Sequence, residues 1–252
     1  FKGCQIPFLR IPQNIIKIGK HSFENCSRLF HIQLPSTIIK IGDSSFECCK
    51  ILTRINIPSS VRKIGKYAFE GCSRLKKIEI PPSFVKIGDH AFMNCVSLNK
   101  INNKSSVDII GEYTFYECYS LTQMEIPDRV KKICNDAFYD CSLVEKMTIS
   151  SFVDYIGPSA FAGCSSLKEI IFESPSSVRY FKHHIFSGCS SLEGIKIPNS
   201  VTSIENGSFY KCNLLKQITI PSSVISIDEN TFNECNSLEQ VIFESPSQIK
   251  KI

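Results

Sequence analysis

Several residue types and motifs that mark other protein classes are missing from this sequence. Among its 252 residues there is no tryptophan and only 3 methionines. No run of about 18 apolar residues occurs, so we expect no transmembrane helix within the chain. There is no G-x-S-x-G, G-x-G-x-x-G or P-loop, and no acid–base constellation stands out. We therefore expect no enzymatic activity and no cofactor or metal.

What the sequence does contain is a repeat marked by phenylalanine. Successive phenylalanines are separated by 22 residues, then by 23 six times, then by 25, 23 and 23. They are Phe1, Phe23, Phe46, Phe69, Phe92, Phe115, Phe138, Phe161, Phe186, Phe209 and Phe232. A fixed period of this length indicates a solenoid in which each unit contacts only its neighbours. We predict one solenoid over residues 1–252, with the last unit incomplete.

The repeat pattern is I-G-x-x-A-F-x-x-C-x-x-L-x-x-I-x-I-P, as written in full at residues 64–81. The segment L-x-x-I-x-I alternates buried and exposed positions, which predicts a short strand that the proline ends. The spacing of Phe and Cys by three suits a single helical turn. The glycine, for example Gly65, predicts a tight bend or a helix entry with positive φ. One strand and one turn per repeat would give a parallel sheet on one face and helical turns on the other.

This pattern resembles the leucine-rich repeats of the BspA-like surface proteins, over all 252 residues. The resemblance implies an α/β-type, right-handed curved solenoid of about eleven repeats of 23 residues. Short parallel strands would line its concave face and short helical turns its convex face. It also implies display on a cell surface and a link to adhesion. The family has no shared catalytic residues to carry over.

Several repeats depart from the pattern. The motif F-E-S-P-S occurs at residues 172–176 and 243–247, and the first copy adds two residues, which predicts a loop after the strand. Asn103 takes an inward strand column, and Lys104 replaces the proline. In the glycine column stand Cys134, Lys182, Glu205 and Asp228, where positive φ is not available.

The 13 cysteines do not fit a disulfide framework or a metal site. Stacked repeats place cysteines of one column about 4.8 Å apart with parallel side chains, which disfavours bridging. We predict a ladder of buried free thiols. Its members are Cys4, Cys26, Cys49, Cys72, Cys95, Cys118, Cys141, Cys164, Cys189, Cys212 and Cys235. Cys48 and Cys134 lie outside the column, and no spacing supports a disulfide or metal role for them.

A histidine pair and three glycosylation acceptor patterns do not indicate a specific function. His183 and His184 are not part of an H-E-x-x-H motif and have no acidic residue at the spacing of a metal ligand, so we interpret them as exposed loop residues. Asn25, Asn103 and Asn206 begin glycosylation acceptor patterns, which matter only for a secreted chain.

Charge is unevenly distributed along the chain. Residues 1–126 carry 17 Lys and Arg against 10 Asp and Glu, or +7, and residues 127–252 carry 12 against 14, or −2. Cations recur at fixed repeat positions in two rows, and they are the candidate ligand-binding residues. The first row occupies outward strand positions, which we expect to form the concave face. This row is Arg54, Lys77 and Lys100, followed by Lys146, and the other is Lys17, Lys40, Lys63 and Lys86. The alternative is that lysine merely keeps a non-packing position soluble.

Two functions remain open from the sequence. The first is a non-enzymatic module, displayed on a cell surface or secreted, that recognises a protein or an anionic glycan through the concave face. The second is an intracellular, cytoplasmic or cytoskeletal scaffold that binds an acidic partner. We expect no nucleic-acid ligand, because aromatic residues are not interleaved with the cations. The chain starts without Met, so we interpret it as part of a longer protein whose other segments would supply any membrane attachment.

Overall fold

A parallel-strand solenoid of about ten turns of about 23 residues is the fold of the chain. The computed structural model describes residues 1–103 and 106–252, without the side chains of residues 102, 103 and 123. The predictions for the side chains of Asn103 and Lys104, including the acceptor pattern that begins at Asn103, lie outside the described residues.

The described residues form twenty short strands. In chain order these are β1 (Phe8–Arg10), β2 (Lys17–Ile18), β3 (His31–Gln33), β4 (Lys40–Ile41), β5 (Arg54–Ile55), β6 (Lys63–Ile64), β7 (Lys77–Ile80), β8 (Lys86–Ile87), β9 (Lys100–Asn103), β10 (Ile109–Ile110), β11 (Gln123–Met124), β12 (Lys132–Ile133), β13 (Lys146–Ile149), β14 (Tyr155–Ile156), β15 (Glu169–Phe172), β16 (Tyr180–Phe181), β17 (Ser203–Ile204), β18 (Gln217–Ile220), β19 (Ser226–Ile227) and β20 (Gln240–Phe243).

Two strands per repeat pair with the equivalent strands of the neighbouring repeats. The predicted strand of each repeat forms what we call the first sheet, in the order β1-β3-β5-β7-β9-β11, continued by β13-β15 and β18-β20. A bridge between Lys196 and Thr219 connects the repeat between β15 and β18. The second sheet has the orders β2-β4-β6-β8, β10-β12-β14 and β16-β17-β19. All of the pairs described between these strands are parallel, at an offset of one repeat.

The prediction of helical turns is wrong, since no helix occurs among the described residues. Tyr67 and Gly71, which flank Phe69 by two residues on each side, have φ of 57° and 66° and interrupt any right-handed helix. The N–H of Phe69 donates to the carbonyl of Ala91 in the next repeat at 2.8 Å, and those of Tyr67 and Gly71 donate to the next repeat in the same way. At every second position of the turn, hydrogen bonds between repeats therefore replace the bonds that a helix would make within one repeat.

Glycine recurs in one column for a different reason from the positive φ that the sequence predicted. Gly65 and Gly88 do not have positive φ. A Cβ on Gly88 would lie 2.5 Å from the carbonyl carbon of Gly65 and from the nitrogen of Lys66. Glycine is needed there because adjacent backbones approach closely. Side chains such as Cys134 in the same column require the neighbouring backbone to leave room for a Cβ.

The core consists of residue columns that run along the whole solenoid. The eleven phenylalanine rings form one stack, with centroids 5.3–5.8 Å apart between neighbours. Each ring from Phe23 to Phe209 is buried, whereas Phe1, at the first position, is 69% exposed. The leucine and isoleucine columns pack beside this stack and are buried as predicted, except for partly buried members such as Ile15, Ile195 and Leu238.

The thiol ladder is part of this core. All 13 cysteines are free, and those from Cys26 to Cys212 in the column are buried. The S–H of Cys118 donates to the carbonyl of Phe92 at 3.3 Å, and every column thiol after Cys4 makes the equivalent bond to the preceding repeat. Burial raises the pKa of the Cys118 thiol to about 12. The column thiols are therefore small packed donors and not reactive groups.

The F-E-S-P-S loops directly follow strands β15 and β20, as predicted. In the first, the N–H of Glu173 donates to the carbonyl of Ile149 at 2.9 Å, and its carboxylate accepts the N–H of Ser151 at 3.4 Å. Glu244 makes the same two contacts in the second loop. Both loops contain a cis proline, at Pro175 and Pro246. The repeated contacts show that the motif ties each loop to the preceding repeat.

Candidate functional site

Arg54, Lys77 and Lys100 lie side by side on the first sheet, and we call them the first-sheet row. Parallel pairing sets Arg54 beside Lys77 and Lys77 beside Lys100. All three side chains are exposed, because the inward positions of the strands are taken by isoleucines such as Ile78. None of the three makes an ion pair among the described residues, although Glu79 lies two positions further along the same strand. The row is thus a line of like charges about 4.8 Å apart.

Lys146 is on the same sheet but in a different electrostatic setting. Its Nζ lies 2.7 Å from the carboxylate of Glu169 in the next repeat, and both side chains are more than half exposed. Lys146 and Lys100 line one shallow depression of about 650 Å³, together with Glu125 and Glu145. The depression therefore has mixed charge, and Lys146 does not extend the row as a free cation.

The second set of candidates lies on the other sheet. Lys17, Lys40, Lys63 and Lys86 face one another in register on strands β2, β4, β6 and β8, and we call them the second-sheet row. They make no ion pair in the part of the chain that the structure describes. Asp43 and Asp89, which follow two of these strands, are engaged elsewhere, since Asp43 pairs with Lys20 and Asp89 with Lys66, each at 2.8 Å. The predicted site is therefore two separate rows on two sheets and not one patch.

His183 has an acidic neighbour that sequence spacing did not reveal. Its Nε2 lies 3.3 Å from a carboxylate oxygen of Glu205, and Lys182 binds the other oxygen at 2.8 Å. The residues are 22 positions apart, but stacking of repeats brings them together. Because Lys182 already neutralises the carboxylate, this cluster is an ion-pair network. At the first repeats, His21, Glu24 and Glu47 lie close enough to share an ion, but Lys2 and His21 already bind the Glu24 carboxylate.

The turns carry an aromatic row that the sequence pattern did not predict. The rings of Tyr67, His90 and Tyr113 lie 4.5 and 4.7 Å apart, and those of Tyr116 and Tyr139 lie 4.8 Å apart. Carboxylates flank them, and burial raises the pKa of Glu70, Asp136 and Asp140. The sequence signal was an aromatic residue two positions before, or one after, the repeated phenylalanine. Aromatic and basic rows thus lie in different parts of the repeat, and the expectation about nucleic acid stays a prediction.

The stacked parallel sheets, the phenylalanine stack and the 23-residue period define a leucine-rich repeat solenoid. The chain belongs to the BspA-type leucine-rich repeat family, whose sequence model matches residues 1–109, 85–174 and 171–252 in six copies. The resemblance seen in the sequence is thereby confirmed. Repeats of this family are typically non-enzymatic binding modules. A comparison with curated proteins finds no match.

Solved structures of bacterial leucine-rich repeat proteins are similar over most of the chain. One from Bacteroides ovatus is 30% identical, covers 100% of this chain and 76% of its own, and has a TM-score of 0.57. The Treponema pallidum leucine-rich repeat protein is 31% identical, with coverage of 70% and 82% and a TM-score of 0.61. A leucine-rich cell surface protein from Faecalibacterium prausnitzii is 25% identical, with coverage of 96% and 89% and a TM-score of 0.50. No helix suited to crossing a membrane occurs among the described residues.

Proposed function

We propose that the chain is a recognition module of a cell-surface protein and binds an anionic partner, either an acidic protein segment or an anionic glycan. The observation that carries this proposal is the first-sheet row, in which Arg54, Lys77 and Lys100 adjoin one another without an ion-pair partner among the described residues. Membership of a family of binding modules and the cell-surface character of the Faecalibacterium relative support it.

The electrostatics of the row favour a bound anion. Like charges opposite each other on neighbouring strands destabilise a sheet, and repulsion between exposed charges 4–5 Å apart is about 1 kcal/mol in water. A polyanion that lies across the strands would relieve this repulsion and gain three attractive contacts. The backbone beneath the row is fixed by the parallel pairing of strands β5, β7 and β9, so the points from which the three side chains extend are in line before the ligand arrives.

The test is binding of heparin, a surrogate polyanion, to the triple variant Arg54→Ser, Lys77→Ser, Lys100→Ser. We expect the variant to fold normally, because all three side chains are exposed, and to bind heparin more weakly with a smaller dependence on salt. The matched control replaces Lys131, Arg179 and Lys216 by Ser, which removes the same charge from exposed positions in the second half.

Two outcomes would contradict specific binding of an anion by the first-sheet row. If the control variant loses as much affinity as the first-sheet variant, net charge and not the row is responsible. If wild-type binding to heparin does not weaken with salt, the proposal of an anionic partner is wrong.

The second candidate is the intracellular scaffold, which the free thiols favour. The free thiols do not distinguish a cell-surface protein from an intracellular one, however, because burial raises the pKa of Cys49, Cys118 and Cys164 to about 12. Buried neutral thiols remain reduced in either compartment for lack of thiolate and access. Protease treatment of intact cells distinguishes the two candidates, since only a surface-displayed chain is cleaved.

A further inference from the structure

An exposed aliphatic row accompanies the second-sheet row. Ile16, Ile39 and Val85 directly precede Lys17, Lys40 and Lys86, and they are 57%, 52% and 58% exposed. In the next repeat Ile109, 43% exposed, takes the lysine position itself. The set of these four aliphatic residues, the four lysines and Arg62 is the second-sheet strip, and it extends over five repeats, or about 20 Å.

The fold does not require aliphatic residues at these positions. In later repeats the same two columns hold Asp154 with Tyr155 and Thr202 with Ser203, and strands β14 and β17 form there all the same. Exposing several large aliphatic side chains in one line is unfavourable in water, and such a patch marks a surface that another body covers.

We infer that the second-sheet strip docks onto a membrane surface rich in anionic lipid. The lysines would meet headgroup phosphates and carboxylates, while Ile16, Ile39, Val85 and Ile109 would enter the boundary between headgroups and acyl chains. An aliphatic row beside a polybasic row is the composition that suits this interface, where apolar burial and attraction to anionic lipid add.

Two features favour a lipid surface over an acidic peptide. The aliphatic residues stand in four of the five repeats, since Arg62 takes the position in the third, and Ile109 stands one residue later than the others. None of them lines a depression described on the surface, so they offer no pocket for a peptide side chain. Strands β4 and β6 are also paired on both sides, so an added strand could pair only beyond the end of the row, at β2, and not along the strip. A row of mixed cations and aliphatic residues suits a fluid surface, which needs no pockets.

The strip is almost free of opposing charge. Asp108, which precedes Ile109 in the chain, is the acid that adjoins the strip, while Asp43 and Asp89 are neutralised by Lys20 and Lys66. This inference does not rest on the proposed function, because the first-sheet row lies on the other sheet and its variant leaves the strip intact.

The test is co-sedimentation of the chain with phosphatidylcholine vesicles with and without phosphatidylserine. We expect binding only to vesicles with phosphatidylserine, and a loss of affinity of about fivefold for each of Lys17, Lys40, Lys63 and Lys86 replaced by Ser. The variant Ile16→Ser, Ile39→Ser, Val85→Ser, which keeps every charge, should lose about tenfold or more.

The matched control is Ile225→Ser. Ile225 stands in the same column and is 38% exposed, but its neighbour Ser226 takes the place of a lysine. The variant Ile225→Ser should leave vesicle binding unchanged. Circular dichroism and melting of each variant verify that the fold is retained, and heparin binding should not respond to the aliphatic variant.

Three results would overturn the inference. The first is equal wild-type binding to both kinds of vesicle or to neither, and the second is an aliphatic variant that binds like the wild type. The third concerns polyglutamate, an acidic polypeptide. If the aliphatic variant lost affinity for polyglutamate as strongly as for vesicles, the strip would be assigned to an acidic polypeptide instead.

Discussion

The two halves of the solenoid present different charges from the same framework. In the first half, one outward column of the first sheet holds Arg54, Lys77 and Lys100 without ion pairs among the described residues. In the second half, the same column holds Lys146 and Glu169, which pair at 2.7 Å. The first half therefore keeps repulsion that the second half has neutralised.

The second sheet shows the same contrast. Its outward column holds four lysines in the first half, whereas Tyr155, Tyr180, Ser203 and Ser226 follow Lys132 in the second. Both halves nevertheless share one phenylalanine stack and one thiol ladder. Charge in these columns is therefore not a requirement of the repeat, and this is the premise of the binding surface that we propose.

The largest expected effect tests whether the core is in fact equivalent in the two halves. Phe115→Ala and Phe186→Ala should each lower the free energy of unfolding by about 3–5 kcal/mol, because each removes a buried ring between two stacked neighbours. Phe1→Ala should cost much less, since Phe1 is 69% exposed and stacks on Phe23 alone. Chemical denaturation measures all three, and equal losses for Phe1 and Phe115 would contradict the stacked core.

A smaller effect concerns the glycine column, where the halves differ. Gly88→Ala should destabilise by about 1–3 kcal/mol, since the new Cβ would lie 2.5 Å from the backbone of the preceding repeat. Cys134→Ala, at the same column in the second half, should cost less than about 1 kcal/mol, because a Cβ is already accommodated there. Thermal melting compares the two variants, and a neutral Gly88→Ala would show that the backbones can separate without cost.

The sequence period determined most of the core and the register of the basic rows. A strict spacing of 23 residues sets Lys77 beside Lys100 whatever the local structure. The second strand was missed because two residues, such as Lys63 and Ile64, are too short for an alternation to appear. The turn was misassigned because a spacing of three suits a helical turn and an isolated turn equally well. The positive φ at Tyr67, which decides between them, leaves no mark in the residue type.

The candidate site was predicted in part for the same reason. Columns identify which cations are neighbours, but they do not say that Arg54 and Lys63 belong to different sheets. Contacts between side chains of different repeats, such as that of His183 with Glu205, could not be predicted from local sequence motifs either. The exposed aliphatic row could have been found from the columns, since Ile16, Ile39 and Val85 share one repeat position that six other repeats fill with polar residues.

The smallest expected effect sharpens the comparison by giving the first half the charge pairing of the second. Lys77→Glu would set a carboxylate between Arg54 and Lys100, the arrangement that Lys146 and Glu169 already show. We expect a gain in stability of about 0.2–1 kcal/mol, because repulsion becomes attraction at an exposed position. Heparin binding should fall at the same time, and more than for Lys77→Ser, because the new carboxylate repels the ligand. Denaturation midpoints and heparin affinity for both variants decide the matter. If Lys77→Glu gained stability and bound heparin as the wild type does, the first-sheet row would have no role in binding.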